Sequence, residues 1–404
     1  MIGSNQRVLL IHRFFFPDSP PYALILENMR QFLVASGCLV DVLTSQPSYK
    51  SADKHKKEKY ISRLRDSSRV FRLPVFRLKN DGLNKGINFF WFPLASFFVV
   101  LLGRRYNVVT VSTAPPVILA FLVALAVRIR GGKLIYHCMD IHPEIGRISG
   151  EFRGPLVFNL LKSMDKFICK TATKIIVLSS DMKSSLKNSR AVPAEKIEII
   201  NNYDLSSGET IVESFFFGAE SKRRVVFTGN LGRFQNLEVF ILALKNKPRL
   251  KNLELYFVGE GSALLELQRM SEGFDEVVKF VPHQSISVAR KIISEADFGI
   301  VSLQEEVIKY AYPSKTMTYL AEGTPIIASV GNDAELSSFI LTQKVGVVLK
   351  KPEIEEVYEI FKLVNDGKLK FDRAHIKRVF DKHFSKKEFE RKLSRLVFDE
   401  MVDS

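Results

Sequence analysis

The chain has 404 residues, 46% of them hydrophobic and 25% charged, which provides for two cores and points to two or three domains. Cys38, Cys138 and Cys169 show no CxxC spacing, which excludes a disulfide framework and a zinc ribbon and suits a reducing compartment. Of the net charge of +15, residues 1–200 carry +16 (30 Lys/Arg against 14 Asp/Glu) and residues 201–404 carry −1, so the first half expects a polyanion, either nucleic acid or an anionic membrane leaflet.

The opening MIGSNQRVLLIHRFFF has too short an apolar run for a signal peptide and reads as a buried strand over Arg7–His12. Strands are then expected at Leu39–Thr44, Val70–Arg72, Val108–Ser112, Lys133–His137 and Lys174–Leu178, with helical patterns between them, such as Tyr22–Ser36 stopped by Gly37. The stretch Lys50–Arg77 holds ten Lys/Arg and reads as a basic loop around the third of these strands. Ile87–Leu102, INFFWFPLASFFVVLL, is too short to span a bilayer and carries Pro93 in its middle. It reads either as a core helix or as a helix dipping into one leaflet, with Lys85, Arg104 and Arg105 on lipid phosphates. Val117–Val127, also apolar, is expected to pack against the sheet.

Asn201–Ser221 has weak periodicity and marks the domain boundary. Strands resume at Arg224–Thr228, Leu253–Val258, Val278–Val281, Phe298–Val301, Pro325–Ala328 and Gly346–Leu349. The expected organisation is α/β: two doubly wound parallel-sheet (Rossmann-like) domains facing across a cleft, residues 1–203 and 222–375. A linker at 204–221, a membrane-associating segment near 87–105 and a charged helical tail at 376–404 complete it. No short-period repeat is present.

Three places have the residue types for chemistry. Thr228-Gly229-Asn230-Leu231-Gly232-Arg233 follows a strand, and its glycines let backbone N–H groups approach a phosphate. Its GxxG spacing is not the dinucleotide fingerprint, and a plain βα turn also favours glycine. Val258-Gly259-Glu260-Gly261 ends the next strand in the same manner. Tyr312-Pro313-Ser314-Lys315 precedes a helix expected at Thr316–Glu322, with Ser314 as its cap and Lys315 beside a diphosphate or simply in solvent. His137-Cys138-Met139-Asp140-Ile141-His142-Pro143-Glu144 gathers titratable groups at a strand end. Its spacing matches no zinc motif, leaving acid–base or sugar-hydroxyl contacts, or a buried polar network. No GxSxG elbow, Walker A loop, HExxH or kinase set occurs.

In order along the chain, Ser112-Thr113-Ala114-Pro115-Pro116, Asp140-Ile141-His142-Pro143-Glu144, Leu178-Ser179-Ser180-Asp181-Met182, Gly229 to Gln235, and Pro313-Ser314-Lys315 to Ala321-Glu322-Gly323-Thr324-Pro325 resemble the retaining family 4 glycosyltransferases of the GT-B type, in the branch that builds bacterial O-antigen, capsule and colanic acid. The resemblance implies a C-terminal domain that binds a nucleotide-sugar, a UDP-sugar from the branch, and an N-terminal domain that binds a lipid-linked, polyprenyl-diphosphate acceptor. It implies no metal cofactor, and a cytoplasmic protein peripheral on the anionic inner face of the cell membrane, making surface polysaccharide. Donor-binding positions would be Gly229, Asn230, Gly232, Arg233, Gln235, Gly259, Ser314, Lys315 and Thr318. Catalytic positions would be Asp140, His142, Glu144, Arg233 and Lys315. Preorganised positive charge at the departing diphosphate would supply the rate.

The chain departs from that family where two glutamates are usual. Tyr310 and Thr318 stand there, which leaves ribose recognition by a carboxylate open, with Glu305 and Glu306 as the candidate substitutes. Asp18-Ser19-Pro20-Pro21 replaces a glycine pair in the first βα loop, and His142 stands where the branch has Trp. A nucleotide-sugar epimerase of the same fold would act without an acceptor. A nucleic-acid-binding protein would interleave its aromatics with Lys/Arg, and here they are clustered, so no nucleic-acid partner is expected. A catalytically dead scaffold is the remaining alternative to transfer.

Overall fold

Short apolar runs alternating with amphipathic helices become two wound sheets, because a parallel strand buried on both faces has to be continuously apolar. The structure, a computed structural model, describes residues 6–18, 20–48, 57–76, 81–151, 154–204, 215–216 and 222–402. The chain divides into two units, Met1–Leu205 with Phe389–Ser404, and Ser206–Glu388.

In the first unit β1 (Arg7–Ile11), α1 (Pro21–Ala35), β2 (Leu39–Ser45), β3 (Ile61–Arg63), β4 (Arg69–Leu73) and α2 (Asp81–Leu102) lead to β5 (Val108–Ser112). Then come α3 (Ile118–Arg130), β6 (Lys133–His137), α4 (Glu144–Ile148), α5 (Pro155–Thr171), β7 (Lys174–Val177), α6 (Ser180–Arg190) and β8 (Ile197–Ile199). The eight strands lie in the order β3-β4-β2-β1-β5-β6-β7-β8, all parallel except β3, which pairs antiparallel with β4. Val8, Leu10, Val40, Val42, Val70 and Val108 share one core with Ile25, Leu26, Met29 and Leu33 of α1. The α1 crossover runs from β1 back to β2, whereas the α2, α3 and α5 crossovers run the other way. Right-handed connections therefore place those three helices on the opposite sheet face. There α3 packs against both α2 and α5.

The second unit holds β9 (Arg223–Thr228), α7 (Glu238–Lys245), β10 (Leu253–Val258), α8 (Leu264–Met270), β11 (Val278–Val281), α9 (Ile286–Glu295) and β12 (Phe298–Ser302). It continues through α10 (Glu305–Ile308), α11 (Lys315–Ala321), β13 (Ile326–Ser329), α12 (Glu335–Gln343), β14 (Gly346–Val348), α13 (Ile354–Asn365) and α14 (Arg373–His383). Its six strands are all parallel, ordered β11-β10-β9-β12-β13-β14. The last helix, α15 (Lys386–Val402), carries the chain into the first unit, where Phe389, Leu393 and Leu396 join the α1 core and Phe389 meets the Tyr203 ring at 4.9 Å.

Both sheets match the expected doubly wound class. The segment read as a basic loop holds the β3–β4 pair: Arg69 pairs with Asp41, and buried Arg72 donates to Ser62 Oγ and the Phe16 carbonyl. Lys50, Lys54, Lys56, Arg77, the side chain of Lys85 and most of the 204–221 linker lie outside the described residues. Among the described residues no helix is long and apolar enough to cross a membrane.

Candidate functional site

At the carboxyl end of β9 the chain turns through Gly229, whose φ of +108° favours glycine. The turn after β10 presses directly on it. A Cβ on Gly259 would collide with the Gly229 carbonyl, and one on Gly261 with the Leu231 backbone. The two turns are laced by Gly229 N–H to the Val258 carbonyl, Leu231 N–H to the Glu260 carbonyl and Ala263 N–H to the Leu231 carbonyl, each 2.9 Å. Asn230 and Arg233 are exposed on this platform. Gln235 is turned inward: its Oε1 accepts from Gly232 N–H at 2.9 Å, and its carbonyl accepts from Ser302 Oγ. The amide oxygen of Gln235, a residue expected at the donor, thus holds the loop's own backbone.

Against β9 lies Lys315, the first residue of α11. Its Nζ is sealed from solvent, has no hydrogen-bond partner and sits 3.4 Å from the centroid of the Phe227 ring. Burial lowers its pKa to about 7, because an ammonium deprived of water and of an anion is costly. The cation–π contact with Phe227 offsets only part of that cost. Tyr319, one turn along, accepts from Thr228 N–H at 3.0 Å and Thr228 Oγ at 3.2 Å, which ties α11 to the end of β9. Thr318 is half-buried on the same short helix, and Thr316 Oγ is buried without a partner. Ser314 is exposed with helical backbone and makes no side-chain cap, so the helix begins one residue earlier than expected and without the expected capping bond. Glu305 and Glu306 are exposed in the first turn of α10, Glu305 lying against Gly331.

In the first unit the strand ends gather a polar group that sequence order conceals. His12, after β1, bonds through Nδ1 to Ser112 Oγ at the end of β5. Tyr22 OH bonds His137 Nδ1 at 2.8 Å, and the His12 and Tyr22 ring centroids lie 4.5 Å apart. Burial depresses His12 to about 3 and His137 to about 4, so both imidazoles are neutral at pH 7. His137 Nε2 and His142 Nδ1 are buried without partners, and burial lowers His142 to about 4. Burial raises the carboxyl of half-buried Asp140 to about 6.

Glu144 belongs elsewhere. Its two oxygens take Arg190 Nη1 at 2.8 Å and Nη2 at 2.7 Å, while Arg190 Nε reaches Asp165 at 2.7 Å and Nη2 reaches the His142 carbonyl. The Arg190 side chain is 0% exposed, so this pair closes the fold and its carboxylate is not free for a sugar. Among the described residues no three His, Cys, Asp or Glu side chains converge as a metal site.

The comparisons with known proteins agree with this architecture. The sequence model of the family described as Glycosyltransferase Family 4 matches residues 24–203. A probable glycosyltransferase from Pseudomonas aeruginosa, WbjE, is 25% identical over 278 residues, 66% of this chain and 68% of that protein. Sucrose-phosphate synthase from Thermosynechococcus elongatus superposes with a TM-score of 0.66 at 15% identity, over 99% of this chain and 100% of that one. HepE from Anabaena, solved in complex with UDP, gives 0.66 at 14% identity over 97% and 99% of the two chains. Together the solved structures show that the chain has the GT-B fold.

Proposed function

We propose that the protein is a retaining glycosyltransferase. It moves a sugar from a nucleotide-sugar, a UDP-sugar, to a polyprenyl-diphosphate-linked saccharide at the inner membrane face, in bacterial surface polysaccharide synthesis and without a metal. The observation that carries the reading is the sealed, unpartnered Nζ of Lys315 against the ring of Phe227, which lies on β9 two residues before Gly229. The cation–π contact with Phe227 stabilises such a charge only in part, an anion would stabilise it further, and a diphosphate supplies two negative groups. The exposed Arg233 and the Gly229–Asn230 backbone lie on the same platform, so positive charge is fixed where negative charge develops as the diphosphate departs. The UDP complex of HepE supports the donor class, and the name of WbjE supports sugar transfer. In the first unit Asp140 and His142 are the groups assigned to the acceptor hydroxyl, which attacks from the face the diphosphate leaves.

The test is thermal stabilisation by UDP, GDP and a single-stranded oligonucleotide, followed by product analysis with and without a lipid-linked acceptor. UDP at about one hundred times its Kd should add about 2.7 kcal/mol. The gain should be far smaller in Lys315→Ala. Stabilisation by the oligonucleotide alone would overturn the reading, and sugar conversion without acceptor would favour an epimerase.

A further inference from the structure

The apolar surface of the first unit extends well beyond the α2 segment. On α2 Ile87, Phe90, Leu94, Phe98 and Leu102 recur at spacings of three and four residues, and all are exposed, Phe90 by 60% and Leu102 by 74%. The same helix buries Phe92 and Val100 on its other side. On the neighbouring α3, Ile118, Leu122 and Leu125 are partly exposed and Ile129 is 61% exposed, again at helical spacing. Beyond α3, the first turns of α5 show Leu156 at 84%, Val157 at 49% and Leu160 at 62%. Three helices packed side by side on one sheet face therefore turn an apolar side outward, an arrangement that marks an interaction surface.

Charge decides what covers it. From residue 86 to residue 130 there is no Asp or Glu, and the exposed ionic groups are Arg104, Arg105 and Arg128. On α5 the exposed face turns from Leu160 to Lys166 and Lys170, and Asp165 is buried against Arg190. Among the described residues this rim carries exposed Arg104, Arg105, Arg128, Lys166 and Lys170 against one exposed acid, Glu151 before α5, so the apolar face is predominantly cationic at its edges, which disfavours a second copy of itself and complements an anionic bilayer.

We propose that the first unit rests on anionic lipid through all three helices, with Leu156, Val157 and Leu160 of α5 forming an edge of the contact independent of α2. This rests on the lipid-linked reading above and deepens it: the membrane contact is a plane, not one dipping helix. Two separated apolar edges fix the orientation of the unit on the surface, which a single anchor leaves free to rotate.

Flotation with vesicles of phosphatidylcholine containing 30 mol% phosphatidylglycerol tests the assignment. The parent should float, and the triple variant Leu156→Ser, Val157→Ser, Leu160→Ser should partition about tenfold more weakly. The variant with Phe90→Ser, Leu94→Ser and Phe98→Ser should lose a similar factor. UDP-induced thermal stabilisation, measured on every variant, should stay at the parent value and so report intact folding. If the parent floats and the α5 variant floats equally, the three-helix contact is wrong while the lipid-linked reading survives. If the parent does not float at all, both are wrong. A parent dimer that the same α5 changes dissociate would overturn the lipid assignment in favour of self-association.

Discussion

Lys315 sits where desolvation and charge conflict. Its folded pKa of about 7 lies below its ordinary value of 10.5, so between these limits the unfolded chain holds a proton that the folded one lacks. The destabilisation is thus complete below pH 7 and is relieved as pH rises towards 10.5. Lys315→Met should stabilise the protein by about 2–4 kcal/mol at pH 6.5, a gain that shrinks steadily on the way to pH 10. Urea denaturation at several pH values checks this, and a gap independent of pH would show that Nζ is hydrated. The same linkage predicts that diphosphate binding takes up a proton above pH 7. UDP affinity should then fall by up to about tenfold per pH unit in the parent and stay flat in the Met variant. None of this was legible in the sequence, where an exposed lysine is the favoured reading of Lys315 over a diphosphate ligand. Its sealing comes from Phe227, 88 residues earlier in the chain.

At the scale of elements, the glycines of the two strand-end turns are there for close approach. Sequence reasoning allowed them either a phosphate-binding or a steric role, and the structure shows that Gly259 and Gly261 are occupied by steric work on the neighbouring turn, leaving Gly229 as the open one. Gly261→Ala should therefore displace the Leu231 backbone and weaken UDP binding, with about 1–3 kcal/mol of lost stability. Gly229→Ala has free space for its Cβ, so its smaller effect is backbone strain alone. Calorimetry on both, with and without UDP, separates the cases, and an innocuous Gly261→Ala would mean that the turns are not rigidly laced. All twelve expected strands occur, because buried parallel strands announce themselves as runs of Val, Ile, Leu and Phe. The two that escaped are three-residue strands at the sheet edges, Ile61–Arg63 and Ile197–Ile199, too short to show a period. The His12, Tyr22, Ser112 and His137 group escaped for another reason: its members are up to 125 residues apart, and only the strand order unites them.

For the molecule as a whole, the expected charged tail has a packing role. Phe389, Leu393 and Leu396 recur at the helical spacings of four and three, a stripe present in the sequence but masked by the surrounding Lys, Arg and Glu. In the structure they are 3%, 1% and 5% exposed and share a core with α1, β1 and Tyr203. The unit that the acceptor reading concerns therefore takes part of its core from a segment some 180 residues beyond its other elements. Truncating two buried side chains of this size removes apolar burial and leaves voids. Phe389→Ala with Leu393→Ala should lower the stability of the first unit by about 5 kcal/mol, a large share of what holds a domain. The second unit has its own core, including Phe227, Phe240, Phe257 and Phe361, which contains neither residue. Calorimetry of the double variant should accordingly show the first unit melting early while the transition that UDP shifts upward stays in place. A single transition lowered as one would instead mean that the two units unfold together.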